Sequence, residues 1–357
     1  MEINLTINRT TAPKQKPADE NSLGFGRYFS DHMLMMDYKN GAWSQPRIEP
    51  YHRLSLDPAS SVLHYAQEIF EGLKAYRRAD GSIVMFRPWE NAKRLNRSAD
   101  RMCMPPVDVD LNVEAMRRLV ELESDWVPKS FGTSLYLRPT MIANDEALGV
   151  HAAKDYIYYV ICAPSGSYYA TGLAPVKIKI EDQYARAVKG GMGFAKTGGN
   201  YACSIKAGDD AVKAGYSQVL WLDGEEKRYV QEVGAMNMMF VIDGKLVTAP
   251  LDGSILPGVT RDSVLTIARD EGMIVEERKL SVDELMDAIK DGRLTEAFGT
   301  GTAAVISPVG VLCYHGVDHV IGDGNIGKVS QHFYDTITGI QWGTVEDKYG
   351  WILKVKD

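Results

Sequence analysis

Lys196 stands two residues ahead of the pair Gly198-Gly199 and five ahead of Tyr201. A lysine amine attacks a carbonyl only when its surroundings hold it neutral enough to act as a nucleophile. The two glycines carry no Cβ, so the backbone can approach a planar group closely, and Tyr201 brings a phenol near the same amine. Taken alone, the segment is more often a solvated charge in a loop of small residues. Schiff-base chemistry would need three further parts: an anion cradle, a carboxylate for a ring nitrogen, and a receiver for a substrate carboxylate.

Candidates for each part occur elsewhere. Arg94, Arg97 and Arg101 recur at helical spacing, and one of them could turn inward towards a phosphate while the face as a whole stays solvated. The run Leu256-Pro257-Gly258-Val259-Thr260-Arg261 opens a helix whose N-terminal amides and Thr260 hydroxyl suit an anion, although ordinary capping explains such a start equally. Residues 298–304, Phe-Gly-Thr-Gly-Thr-Ala-Ala, read as a turn exposing backbone amides to a second phosphate or carboxylate. Glu232 lies between the apolar Val230 and Val233, where a buried carboxylate needs a partner. Tyr136 and Arg138 alternate onto one face of a strand and together suit a carboxylate.

The chain has 357 residues, enough for two domains. Its 45% hydrophobic and 24% charged residues are those of a soluble globular protein. With 40 basic and 47 acidic side chains the net charge is -7, so nucleic acid is not an expected partner. No apolar run approaches the roughly 20 residues of a membrane span, and the polar amino terminus is unlike a signal peptide, so a cytoplasmic location is expected. Cys103, Cys162, Cys203 and Cys313 lie far apart without metal-site spacing and are expected to be buried small hydrophobes; no metal is implied.

The elements that must position these groups can be read from periodicity. Residues 1–22 form a polar arm. Residues 61–77 place Leu63, Ala66, Ile69, Phe70, Leu73 and Tyr76 three or four apart, which predicts an amphipathic helix interrupted by Gly72 at a cost of about 1 kcal/mol. A strand at 83–87, helices at 91–102 and 111–126, and strands at 133–139 and 156–163 follow. The Gly- and Tyr-containing stretch at 166–178 predicts an interdomain linker separating a small domain, 1–165, from a larger one, 179–357. In the second half, Asp243-Gly244 marks a hairpin turn and Ser281-Val282-Asp283-Glu284 a helix-starting capping box.

With these parts in order, the chain resembles the branched-chain amino acid aminotransferases, of the fold-type IV pyridoxal phosphate class. The resemblance covers nearly the whole chain and is densest at residues 29–35, 70–76, 87–105, 134–139, 196–201, 231–237, 256–261 and 299–304. It implies an α+β, two-domain fold like that of D-amino acid aminotransferase, with a smaller α/β N-terminal domain, a larger C-terminal domain and pyridoxal 5′-phosphate between them. The implied reaction moves the amino group of L-leucine, L-isoleucine or L-valine to 2-oxoglutarate, giving L-glutamate, in a homodimer. Relatives of the same fold that carry out D-amino acid transamination or aminodeoxychorismate cleavage are the alternatives.

Residue by residue, the resemblance implies that Lys196 forms the Schiff base and moves the proton. Tyr201 would meet the cofactor's phenolic oxygen and Glu232 its pyridine nitrogen, while Arg94, Val259, Thr260 and Thr302 hold its phosphate. Tyr136 and the amides at Thr302, Ala303 and Ala304 would receive the substrate carboxylate. Arg138 would take the side-chain carboxylate of glutamate, and Phe25, Tyr65 and Tyr168 would wall the aliphatic pocket. Animal members carry a C-x-x-C pair where this chain has Ala304 and Ser307, so their thiol switch is not expected here.

Overall fold

The computed structural model describes residues 3–166 and 173–357. The described residues divide into two compact units, one formed by 3–166, 195–198 and 339–357, the other by 173–194 and 199–338. Each contains its own sheet and core, in keeping with an α+β architecture.

The sheet of the first unit runs through Thr6–Ile7, Arg47–Pro50, His32–Lys39, Tyr156–Ser165, Ser134–Ala143, Leu73–Arg77, Ile83–Phe86 and Ile352–Lys356. Ala42–Trp43 and Glu68–Phe70 pair at its sides. Side chains alternate across a strand. Leu135 and Leu137 therefore enter the core with Leu73, Ala75, Cys162 and the helix residues Leu95, Ala99, Met116 and Leu119. Lys74, directly opposite Tyr136 in register, shares the other face with Tyr136 and Arg138.

The expected helix at 61–77 ends after Ser61–Tyr65; Glu68–Phe70 and Leu73–Arg77 are strands. Ala66 turns into the left-handed region (φ 50°) and closes the short helix. Gly72 is not a weak point in a helix but a close approach, since a Cβ there would lie 1.9 Å from the Tyr136 hydroxyl. Long strands from outside the segment thus override its helical spacing. Other elements lie near their expected places, including helices Pro88–Arg101 and Val109–Leu122 and strands Ile83–Phe86 and Tyr156–Ser165.

In the second unit the strand order is Val230–Val233, Gln218–Leu222, Val176–Glu181, Val305–Tyr314, Leu294–Gly301, Met236–Ile242, Lys245–Thr248 and Val275–Glu277. Val230–Val233 also pairs with Met236–Ile242, so the path of strands returns to its start. The core inside includes Ile178, Leu220, Met238, Phe240, Leu285, Ala297 and Leu312. The Asp243-Gly244 turn has both residues at positive φ, as a two-residue hairpin requires. Ser281 accepts from the Glu284 amide at the head of Val282–Lys290, as the capping box predicts. Cys162 and Cys313 are buried, but Cys103 and Cys203 are exposed, against expectation.

Candidate functional site

In the first unit the backbone of Lys196 is pinned along the strand Glu68–Phe70. The Phe70 amide donates to the Lys196 carbonyl at 3.0 Å, and Thr197 Oγ1 to the Glu68 carbonyl at 2.7 Å. The Lys196 amide donates to Ser98 Oγ at 2.8 Å on the helix Pro88–Arg101. Three anchors at consecutive groups fix where the side chain starts, and Lys196 Nζ lies 4.8 Å from the centre of the Phe70 ring. The space beside Gly198 is taken by protein: a Cβ there would stand 1.8 Å from Glu68 Oε1.

Arg94 turns inward from the helix Pro88–Arg101 and is buried, whereas Arg97 is exposed. Its Nε and Nη2 donate to the two oxygens of buried Glu71, each at 2.8 Å. Asn91 Nδ2, at 2.9 Å, and the Gly72 amide, at 3.2 Å, also donate to Glu71 Oε2. Burial alone would raise the pKa of Glu71. The charge and hydrogen bonds of Arg94, the charge of Lys196 and the Asn91 bond outweigh that and hold the carboxyl below its ordinary value. The guanidinium plane of Arg94 is thereby set by a carboxylate to which the sequence alone assigns no role.

On the same sheet, Arg138 Nη2 donates to the Tyr136 hydroxyl at 3.0 Å and its Cζ lies 4.8 Å from the Phe70 ring centre. Arg138 Nε is buried without a hydrogen-bond partner among the described residues, an arrangement that suits an arriving anion. Burial raises the pKa of nearby Glu68 while the charge of Arg138 opposes it. Lys74, across from Tyr136, has its pKa pushed down to about 8 by burial. Phe25 packs edge-on against Tyr136 at 4.8 Å between ring centres. The Tyr65 hydroxyl accepts from the Gly149 amide at 2.8 Å and the ring is 40% exposed. Tyr168 lies outside the described residues.

The second unit holds the other candidates. Glu232 is buried on Val230–Val233 and has the partners that a buried carboxylate needs. Its Oε1 accepts from Asn237 Nδ2 and from the Leu256 amide, both at 3.1 Å, and its Oε2 pairs with Arg186 Nη2. Asn237 also donates to the Leu256 carbonyl at 2.8 Å, which carries the ordering from Glu232 into the approach to the helix Val259–Asp270. That helix begins at Gly258 with no side-chain cap, and a Cβ on Gly258 would meet Asn237 Oδ1 at 2.1 Å. Its first amides, at Val259 and Thr260, therefore have no capping side chain before them, which is the form of a helix-start anion site.

Asn237 is in register with Glu232 on one side and Thr300 on the other, and buried Thr300 Oγ1 has no hydrogen-bond partner among the described residues. The expected turn at 298–304 is shorter than the sequence suggests: its first half is the end of the strand Leu294–Gly301, and only Thr302, Ala303 and Ala304 turn. Val305, which follows, sits at φ 63°, costly for a β-branched residue and frequent beside functional sites. Tyr201 lies on the short helix Gly198–Ala202 and is partly buried.

Each unit, taken by itself, holds groups of the kind that a phosphorylated pyridine aldehyde needs. An amine with a fixed backbone and an oriented arginine are in one unit. A buried, ordered carboxylate, an uncapped helix start and an unpartnered hydroxyl are in the other. Among the described residues no group of His, Cys, Asp and Glu could hold a metal ion.

The family model for amino-transferase class IV matches residues 68–311. The chain is 55% identical over 349 residues to branched-chain-amino-acid transaminase 1 of Bacillus subtilis (strain 168), covering 97% of this chain and 98% of that protein. It is 51% identical to a probable branched-chain-amino-acid aminotransferase of Staphylococcus aureus (strain N315), with 98% of each covered. Among solved structures, the branched-chain amino acid aminotransferase of Escherichia coli superposes with a TM-score of 0.76 at 28% identity, covering 91% of this chain and 99% of that one. The branched-chain aminotransferase of the thermophilic archaeon Thermoproteus uzoniensis, solved with norvaline, gives 0.73 at 26% identity, covering 90% and 99%.

Proposed function

The chain belongs to the amino-transferase class IV family, among the branched-chain-amino-acid transaminases, and from that premise we propose that it transfers the amino group of L-leucine, L-isoleucine or L-valine reversibly to 2-oxoglutarate, giving branched 2-oxo acids and L-glutamate. The observation that carries this reading is the 55% identity over nearly the full length of both chains. Pyridoxal 5′-phosphate, when bound, supplies a carbonyl for the amino group and a ring that withdraws electrons from the bond broken at Cα.

Lys196 would carry the proton between the substrate Cα and C4′ of the cofactor. Tyr201 would donate to the phenolic oxygen, and Glu232 would accept a hydrogen bond from the protonated ring nitrogen. The phosphate would be held by Arg94, itself oriented by Glu71, and by Thr302 and the helix start at Val259 and Thr260. The substrate carboxylate would be received by Tyr136 and by the amides of Thr302, Ala303 and Ala304. Phe25 and Tyr65 would line the aliphatic side, and Arg138 would take the second carboxylate of glutamate and 2-oxoglutarate.

The Arg138 role has a test that separates the two half-reactions. In Arg138→Gln the half-reaction with leucine should keep its rate, while KM for 2-oxoglutarate should rise about 10- to 100-fold, the worth of one charged hydrogen bond. Equal losses in both half-reactions would place the dicarboxylate elsewhere. Activity on D-alanine with none on leucine would overturn the whole substrate reading.

No helix among the described residues is long and apolar enough to cross a membrane, and the proposed place of action is the cytoplasm. The working form we infer is a homodimer. Leu63, Leu148 and Val150 are 58%, 72% and 86% exposed, and the Tyr65–Gly149 hydrogen bond brings their two segments side by side. Such an apolar patch favours burial against a second copy. Sedimentation equilibrium should give twice the chain mass of 39.6 kDa, falling towards one copy in Val150→Glu. A wild-type monomer would contradict the inference.

A further inference from the structure

We propose that Arg186 is a positioning residue for the reaction: its guanidinium keeps Glu232 ionised and oriented, so that the cofactor's pyridine proton stays on nitrogen. This rests on the reading of Glu232 as the partner of that nitrogen. Both side chains belong to the second unit, and they are 7% and 3% exposed. One oxygen of Glu232 is fixed by Asn237 and Leu256, and the other is paired with Arg186 Nη2. The same Nη2 lies 3.3 Å from the Ser254 carbonyl and 3.5 Å from that of Gly193, which hold the guanidinium in place. The Arg186 backbone is tied as well, its carbonyl accepting from Cys203 Sγ at 3.1 Å.

The electrostatic argument follows from burial. A carboxylate taken out of water and left without a counter-charge gains a proton. Facing a pyridine nitrogen, such a carboxyl can hold the shared proton itself, giving a neutral pair in place of a pyridinium and a carboxylate. A guanidinium behind the carboxylate favours the charged arrangement, because its attraction exists only while the oxygen is negative. The ring then keeps its positive nitrogen, the property on which electron withdrawal from Cα depends. Asn237 and Leu256 orient the carboxylate but bring no charge, so Arg186 alone among its named partners biases the proton.

The test is the ring-nitrogen chemical shift of ¹⁵N-labelled pyridoxal phosphate bound to wild type, Arg186→Gln, Arg186→Lys and Glu232→Gln. Wild type and Arg186→Lys should give the pyridinium position, whereas Arg186→Gln and Glu232→Gln should move towards the unprotonated pyridine. An Arg186→Gln protein at the wild-type position, beside a shifted Glu232→Gln, overturns the role of Arg186 and leaves that of Glu232 intact. A pyridinium signal that survives in Glu232→Gln overturns the reading of Glu232 itself. Should Arg186→Gln not fold, Arg186→Lys still decides, because loss of the pyridinium signal with the charge retained contradicts the proposal.

Discussion

Lys196→Ala should lose transamination by about 10⁴-fold or more, since the same amine serves as nucleophile and as proton carrier. The purified variant should also lack the yellow colour of a lysine-bound cofactor. Its fold should survive, because the three anchors at this segment come from the backbone and from Thr197, not from the lysine side chain. The checks are single-turnover kinetics with leucine and the visible spectrum, with circular dichroism as the control for folding. Turnover near the wild-type rate would show that another amine does the chemistry.

The second large effect is structural. Glu71→Ala should destabilise the protein by about 3–5 kcal/mol, because it leaves the buried Arg94 guanidinium without its bidentate partner. Cofactor affinity should fall with it, since the plane of Arg94 is no longer set. The effect has a pH signature. The Glu71 carboxyl is held below its ordinary value in the folded state, so its stabilisation is fully present above the unfolded glutamate pKa of about 4.3 and is lost as pH falls through the lower folded value. The gap in denaturation midpoint between wild type and Glu71→Ala should therefore be widest near neutrality and narrow in acid. A gap that stays constant from neutral pH down to acid would show that lost packing, not the ion pair, is responsible.

These two residues also illustrate what a sequence discloses. The choice of Lys196 rests less on its own surroundings, which alone read as a loop charge, than on matching stretches in the right order along the chain. Local signals worked where local physics decides: the Asp243-Gly244 hairpin, the Ser281 cap and the alternation that puts Tyr136 and Arg138 on one face. Spacing misled at residues 61–77, where apolar residues three and four apart also suit two short strands. What decided their form was pairing with Ser134–Ala143, a partner sixty or more residues away.

Ion-pair partners were illegible for the same reason. Glu71 and Arg94 are 23 residues apart and Arg186 and Glu232 are 46 apart, so no periodicity links them. Glu71 could have been suspected, being an acidic residue within an otherwise apolar stretch. Nothing local singled out Arg186, whose segment reads only as basic and glycine-rich.

The measurement that tests the central claim most directly is the visible spectrum of the purified, cofactor-loaded protein before and after addition of leucine alone. The account predicts loss of the yellow band and growth of the band of the aminated cofactor, with 2-oxoglutarate restoring the first. A yellow protein indifferent to leucine would contradict the branched-chain assignment, and a protein that remains colourless with added pyridoxal phosphate would contradict the role of Lys196.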